Sequence, residues 1–188
     1  MRRLVVFNQV TLDGYFSGVN GDISWAHQAG NDLEWKEFVE ENATGGGELV
    51  FGRVTYDLMK SYWPTPEALK NDPIVAERMN NLPKVVFSRT LKKASWSNTK
   101  LVKGDVAAAI RKKKQEPGKD MVIFGSGSII SQLADANLID EYQLVVIPVV
   151  IGKGKTMFDG INRKVTMKPT RSRTFGNGKV FLSYEPIR

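Results

Sequence analysis

The sequence predicts an α/β domain with a mixed, mainly parallel sheet flanked by helices and a C-terminal antiparallel hairpin. Three observations carry this. Short β-branched and aromatic runs of strand length alternate with segments of helical period. Two of those runs end in glycine just before a helix begins, at Phe51-Gly52 and Phe124-Gly125. The last two strand-like segments are joined by Gly176-Asn177-Gly178, a hairpin signal.

Taken in order, residues 4–10 are too short and too rich in Val and Phe for a helix, and read as a buried strand. Residues 11–21, with Asp13-Gly14, Gly18 and Asn20-Gly21, have loop chemistry. A helix starts at Asn31, which forms a capping box with Glu34 and is followed by an apolar face of Trp35, Phe38 and Val39. Gly45-Gly46-Gly47 ends it. Residues 48–51 form a strand and 52–62 a helix. Asp72-Pro73 caps a third helix over 74–80. Residues 84–88 and 99–102 are strands. The next helix opens at Asp105, carries Val106, Ala109 and Ile110 on one face, and closes on Arg111-Lys112-Lys113-Lys114. Pro117-Gly118 turns the chain into a strand over 120–124. A helix over 128–137 presents Ile130, Leu133 and Ala134 to the core, and a long strand runs from 141 to 151. Residues 164–173 and 179–185 form the closing hairpin. There is no internal repeat, linker or low-complexity tract, so residues 1–188 read as a single domain.

Composition narrows the chemistry. Apolar residues make up 41% of the 188 and charged residues 25%, enough for a globular core. With no cysteine and one histidine, His27, the chain has no disulfides, thiolate clusters or zinc fingers, and no Ser-His-Asp triad except on His27. His27 has no acidic partner in its local sequence and reads as a loop residue. No apolar stretch reaches the length of a membrane helix, and Asn8-Gln9 interrupts anything resembling a signal peptide. A soluble, cytoplasmic protein with no membrane association is expected. The net charge of +7 invites a nucleic-acid reading. Its densest run, however, sits in a last helical turn, where cations meet the negative end of the helix dipole. No recognisable nucleic-acid-binding motif accompanies it, so nucleic acid is not the expected partner.

Three polar segments sit at strand ends. Phe124-Gly125-Ser126-Gly127-Ser128 joins a strand to a helix, where free N–H groups attract anions. It is either a phosphate cradle or simply a tight turn. It is not the Rossmann fingerprint, because Ile130 occupies the third glycine position. Gly52-Arg53-Val54-Thr55-Tyr56 and Ser88-Arg89-Thr90 each offer a cation and hydroxyls at a further strand end. The tempting Gly154-Lys155-Thr156 is no P-loop, since Val149 stands where a glycine is needed. Open α/β sheets bind ligands at the carboxyl ends of their strands, and one nucleotide with several phosphates accounts for all three segments.

These residues carry a resemblance. Asp13-Gly14, Gly52-Arg53-x-Thr55-Tyr56, Gly125-Ser126-Gly127-Ser128, and Leu138-Ile139-Asp140-Glu141 leading to Pro148-Val149-x-x-Gly152-x-Gly154 and Phe158 occur in that order. The chain resembles the dihydrofolate reductase-like superfamily. It is most similar to the reductase domain of bacterial riboflavin biosynthesis and that domain's stand-alone relatives. The resemblance implies a dihydrofolate reductase-like sheet, NADPH as cofactor and a homodimer. It implies hydride transfer to a small pterin-like, pyrimidine-like or sugar-linked substrate, as in a 5-amino-6-(5-phosphoribosylamino)uracil reductase. Gly125, Ser126, Gly127, Ser128 and Ile129 would hold the pyrophosphate, and Gly52, Arg53 and Thr55 would line the phosphates. Ser88 and Arg89 would meet the 2′-phosphate, and Val10, Thr11 and Leu12 the nicotinamide. Asp32 or Glu34 would assist protonation, or else serve as first-turn charges matched to the helix dipole. Asp13 would touch substrate or else serve as a turn residue, and Trp25 would stack on a flat heterocycle. The proton donor stays open between Asp32, Asp13 and a bound water. The rival reading is a nucleotide-binding module of the same fold without turnover.

Overall fold

A computed structural model describes residues 1–27, 32–45 and 47–188. Its strands are β1 (Leu4–Thr11), β2 (Tyr15–Ser17), β3 (Glu48–Gly52), β4 (Lys84–Phe87), β5 (Thr99–Val102), β6 (Met121–Phe124), β7 (Glu141–Ile147), β8 (Lys155–Thr156), β9 (Met167–Thr174) and β10 (Val180–Pro186). Its α-helices are α1 (Leu33–Gly45), α2 (Arg53–Tyr62), α3 (Pro66–Asn71), α4 (Pro73–Asn81), α5 (Val106–Gln115) and α6 (Gly127–Asp135).

Eight strands form one sheet in the order β5-β4-β3-β6-β1-β7-β10-β9. Pairing is parallel from β5 through β7 and antiparallel at β7–β10 and β10–β9. The mixed, mainly parallel sheet with an antiparallel C-terminal pair is the one expected. The central strands are buried on both faces, and this is why they read as continuous apolar runs. One face carries Leu4, Val6 and Ile123 against Ile110 of α5 and Ile130 and Leu133 of α6. The opposite face is covered in two parts. Trp35 of α1 packs there with Phe7, Val145 and Phe181. Val75 and Met79 of α4 pack with Leu49, Phe51 and Val86.

Four local readings are corrected. The predicted strand over 141–151 stops at Ile147, because Pro148 has no N–H to give the ladder. Residues 11–21 are not all loop, since β2 pairs antiparallel with β8 at Tyr15 and Thr156. An unpredicted helix, α3, starts where the Thr65 hydroxyl accepts from the Ala68 N–H at 3.2 Å and Pro66 takes the first turn. The cap of α1 is supplied by Asp32, whose Oδ1 accepts from the Trp35 N–H at 2.9 Å. Asn31 and Gly46 lie outside the described residues.

Two further features bear on stability. Lys84, 1% exposed, donates to the carbonyls of Asn80 (2.9 Å), Leu82 (2.7 Å) and Ser97 (3.1 Å) and lies over the Trp96 ring. At the far side of the sheet, β9 is an edge strand, solvent-exposed along almost its whole length. Among the described residues, no helix is long and apolar enough to cross a membrane.

Candidate functional site

The glycine-rich turn and the start of α2 are interlocked. Ser126 Oγ accepts from the Gly52 N–H at 2.7 Å and donates to Thr55 Oγ1 at 3.0 Å. The approach is close enough to require glycine twice. A Cβ on Gly125 would meet Thr55 Oγ1 at 2.6 Å, and Gly125 has φ +59, which L side chains rarely adopt. A Cβ on Gly52 would meet Ser126 Oγ at 2.8 Å. Asn8 of β1 fixes the turn from below, its Oδ1 accepting from the Gly125 N–H at 2.6 Å.

This interlock sets two helix N-termini side by side. No side chain caps α2 at Gly52 or α6 at Ser126. Apart from the Ile129 N–H, which donates to the Ser126 carbonyl at 2.9 Å, their first-turn N–H groups and dipoles are thus available to an anion. Both termini line a cavity of about 2210 Å³, and Ser88 and Arg89 lie on its rim. Beside it, between the ends of β4 and β5 and helix α6, is a second depression of about 620 Å³, which shares Ser88 and Arg89 and adds Lys103. Arg53 is ion-paired to Asp57 one turn along its own helix, with its side chain 41% exposed. Arg89 has no ion pair among the described residues. Two uncapped helix starts with two arginines suit a ligand that carries several anionic groups.

The other lobe of the cavity lies under α1. Trp25, Trp35, Phe38 and Phe124 are among its walls, with Gln9 and Lys179. Trp25 is buried, and its ring N–H donates to the Asp22 carbonyl. Lys179, 1% exposed, rests its ammonium 4.2 Å from the centroid of the Trp35 ring. Burial pulls the Lys179 ammonium below the ordinary lysine value, and nearby Asp32 opposes that.

The candidate acids sit elsewhere. Neither Asp13 nor Asp32 lines the cavity. Asp13 accepts from the Thr11 hydroxyl at 2.6 Å and from the N–H groups of Gly152 (2.8 Å) and Ile151 (3.2 Å), tying the end of β1 to the turn after β7. The Thr11 bond, with the two N–H groups, holds its carboxyl below the usual range. Asp32 accepts from Trp35 N–H and, at 2.7 Å, from Asn177 N–H, so it joins α1 to the β9–β10 turn. The Trp35 bond, assisted by Asn177 and Arg173, lowers its pKa too. Both are therefore ionised at neutral pH.

The structure thus brings together residues 52–55, 88–89 and 125–129 around one opening. From β1, Val5, Phe7, Asn8 and Gln9 line the cavity, Asn8 and Gln9 being the polar ones. Val10 and Thr11 are buried, and Leu12 is exposed with its N–H on the Val149 carbonyl. Sequence reasoning missed Asn8 and Gln9, although two polar residues inside a buried strand are the signal that points to them. It also missed Lys179. Glu34 lies at the surface, 3.8 Å from Arg173. Nothing is described of the His27 side chain. Among the described residues, no cluster of His, Asp or Glu is arranged to hold a metal.

Comparison with known proteins agrees with this fold. The profile of the RibD C-terminal domain matches residues 2–181. The protein YyaP of Bacillus subtilis (strain 168), itself uncharacterised, is 30% identical over 183 residues, 97% of this chain and 94% of its own. A diaminohydroxyphosphoribosylaminopyrimidine deaminase/5-amino-6-(5-phosphoribosylamino)uracil reductase of Thermotoga maritima superposes with a TM-score of 0.67 at 13% identity. That alignment covers 99% of this chain and 57% of the longer one. The dihydrofolate reductase of Enterococcus faecalis, solved with NADP(H), superposes with a TM-score of 0.60 at 17% identity, covering 99% of this chain and 97% of its own. At these identities the two structures share the fold.

Proposed function

The chain belongs to the RibD C-terminal domain family, and on that premise we propose that it is an NADPH-dependent reductase of a small heterocyclic or sugar-linked substrate. The observation that carries this reading is the pair of uncapped helix starts at Gly52 and Ser126, pressed together on the rim of a large cavity.

The first-turn N–H groups of α6 and α2 would hold the pyrophosphate, with Arg53 beside them. Arg89 and Ser88 would hold the 2′-phosphate that distinguishes NADPH from NADH. Bound nicotinamide would supply the hydride. The protein's share is alignment and exclusion of water, and the aromatic walls of the α1 lobe are suited to both. Asp13 and Asp32 act in this reading as positioning residues. The first holds the β1 exit against the β7 turn, and the second holds α1 against the hairpin. Since both are ionised, water delivers the proton.

Loss of NADPH absorbance with a panel of pterins, pyrimidines and carbonyl compounds tests the reading. Tight NADPH binding with no turnover on any of them would favour a binding module. Arg89→Ala is expected to weaken NADPH about tenfold or more and NADH less than threefold, the size of one charge-assisted bond. Equal losses would remove Arg89 from the phosphate site. Asp32→Asn should lower kcat/KM by roughly tenfold without changing the shape of its pH profile. Disappearance of a titrating limb would instead make Asp32 the acid.

A further inference from the structure

Gln9 is placed where an amide has no structural reason to be. Strand neighbours point to opposite faces, so Asn8 reaches the glycine turn while Gln9 turns to the α1 lobe. There it stands beside Val145 in register, with Phe181 next across the sheet. Its Oε1 is the one buried side-chain polar atom without a hydrogen-bond partner among the described residues. The contrast is Gln143 on the adjacent strand, whose amide donates to Glu141 at 2.8 Å. An unpaired buried carbonyl destabilises a fold, and an apolar side chain of similar length would avoid that cost. The terminal torsion of glutamine is broad, so the amide can turn into the cavity that Gln9 lines.

We propose that Gln9 is the specificity-determining residue of this lobe, its side-chain amide pairing with an N–H donor on the edge of a flat heterocyclic substrate. Trp25, Trp35 and Phe124 supply the flat walls for such a ring. The substrate, not the nicotinamide, is the partner, because the phosphate turn is tied to the opposite face of β1 through Asn8. The inference rests on the reading of this lobe as the substrate site.

The probes are lumazine, which carries two ring N–H donors, and 1,3-dimethyllumazine, which has none, followed by fluorescence with and without NADP⁺. The wild type should prefer lumazine by about tenfold, one hydrogen bond's worth. In Gln9→Met and Gln9→Leu the preference should fall below about threefold, while NADPH affinity measured by calorimetry stays within about threefold. The melting temperature of the ligand-free variants should equal or exceed that of the wild type, which a structural role for the amide would not allow. An unchanged preference in folded variants overturns the proposal, as does a wild type that binds neither probe. So does a tenfold loss of NADPH affinity, which would give the amide to the cofactor. Failure of wild-type protein to bind NADPH sinks the reductase reading instead, and the cofactor-free lumazine comparison still decides the role of Gln9.

Discussion

Gly127→Val is expected to leave the protein folded and to cost at least about a hundredfold in NADPH affinity, close to 3 kcal/mol. A Cβ at this position meets nothing nearer than the Met157 carbonyl at 3.5 Å and the Phe16 ring at 3.6 Å, so the fold has room for it. Valine in a first helical turn costs well under 1 kcal/mol. Its methyls, however, would stand over the N–H groups that are to hold the pyrophosphate. Gly125→Ala should behave in the opposite way. Its Cβ would lie 2.6 Å from Thr55 Oγ1 in a left-handed backbone, so the damage falls on stability. Calorimetric titration with NADPH, paired with thermal melting, separates the two. A folded Gly127→Val protein with unchanged affinity would make the turn merely structural.

Lys84→Met should be among the most destabilising single changes, at about 2–4 kcal/mol. The Leu82 carbonyl would lose the one partner it has from this ammonium, while Asn80 and Ser97 keep weaker bonds from Ser97 Oγ and Thr99 Oγ1. The cation–π contact with Trp96, 4.6 Å from ammonium to centroid, would go as well. Burial pushes the Lys84 ammonium down from 10.5 to about 8. Between those values the unfolded chain holds a proton that the native state has released. Stability from this group therefore rises with pH across that window, by roughly 1 kcal/mol per unit. Denaturant melts at pH 7.5 and 9.5 should show wild type gaining on Lys84→Met by about 2 kcal/mol in all. A wild type that loses ground instead would mean the carbonyls keep the ammonium charged.

The elements most legible in the sequence were those set by local chemistry. Helix α5 opens at Asp105 as expected, and the Asp105 carboxylate caps it, accepting from the Ala108 N–H at 2.8 Å. The strand runs around Val50, Val85 and Ile123 announced a sheet buried on both faces. The phosphate-friendly segments were legible one at a time, because each joins a strand to the turn or helix after it. Their interlock was not. The bonds from Ser126 to Thr55 and from Gly125 to Asn8 span 71 and 117 residues, and no periodicity encodes such a distance. The same holds for β2, whose partner β8 lies at the other end of the chain. Asp32 and Asp13 show the reverse failure. Their residue type suggested chemistry, yet their oxygens are engaged by backbone N–H groups of remote turns. Helix α3 was within reach, since Thr65-Pro66 is a start signal, but its six residues are too few to show a period.

The outer rim formed by β9 has a bearing on solubility. An unpaired strand invites a second copy to add itself and extend the sheet. On this rim Lys168, Arg171 and Arg173 stand in a row with Pro169, which lacks an N–H. Antiparallel self-association centred on Ser172 would set Arg171 of each copy against Arg173 of the other, and like charges facing each other repel. The protein is thereby guarded against edge-to-edge pairing with a second copy at moderate ionic strength. Concentrated salt, which shortens the reach of that repulsion, is the condition under which the guard weakens.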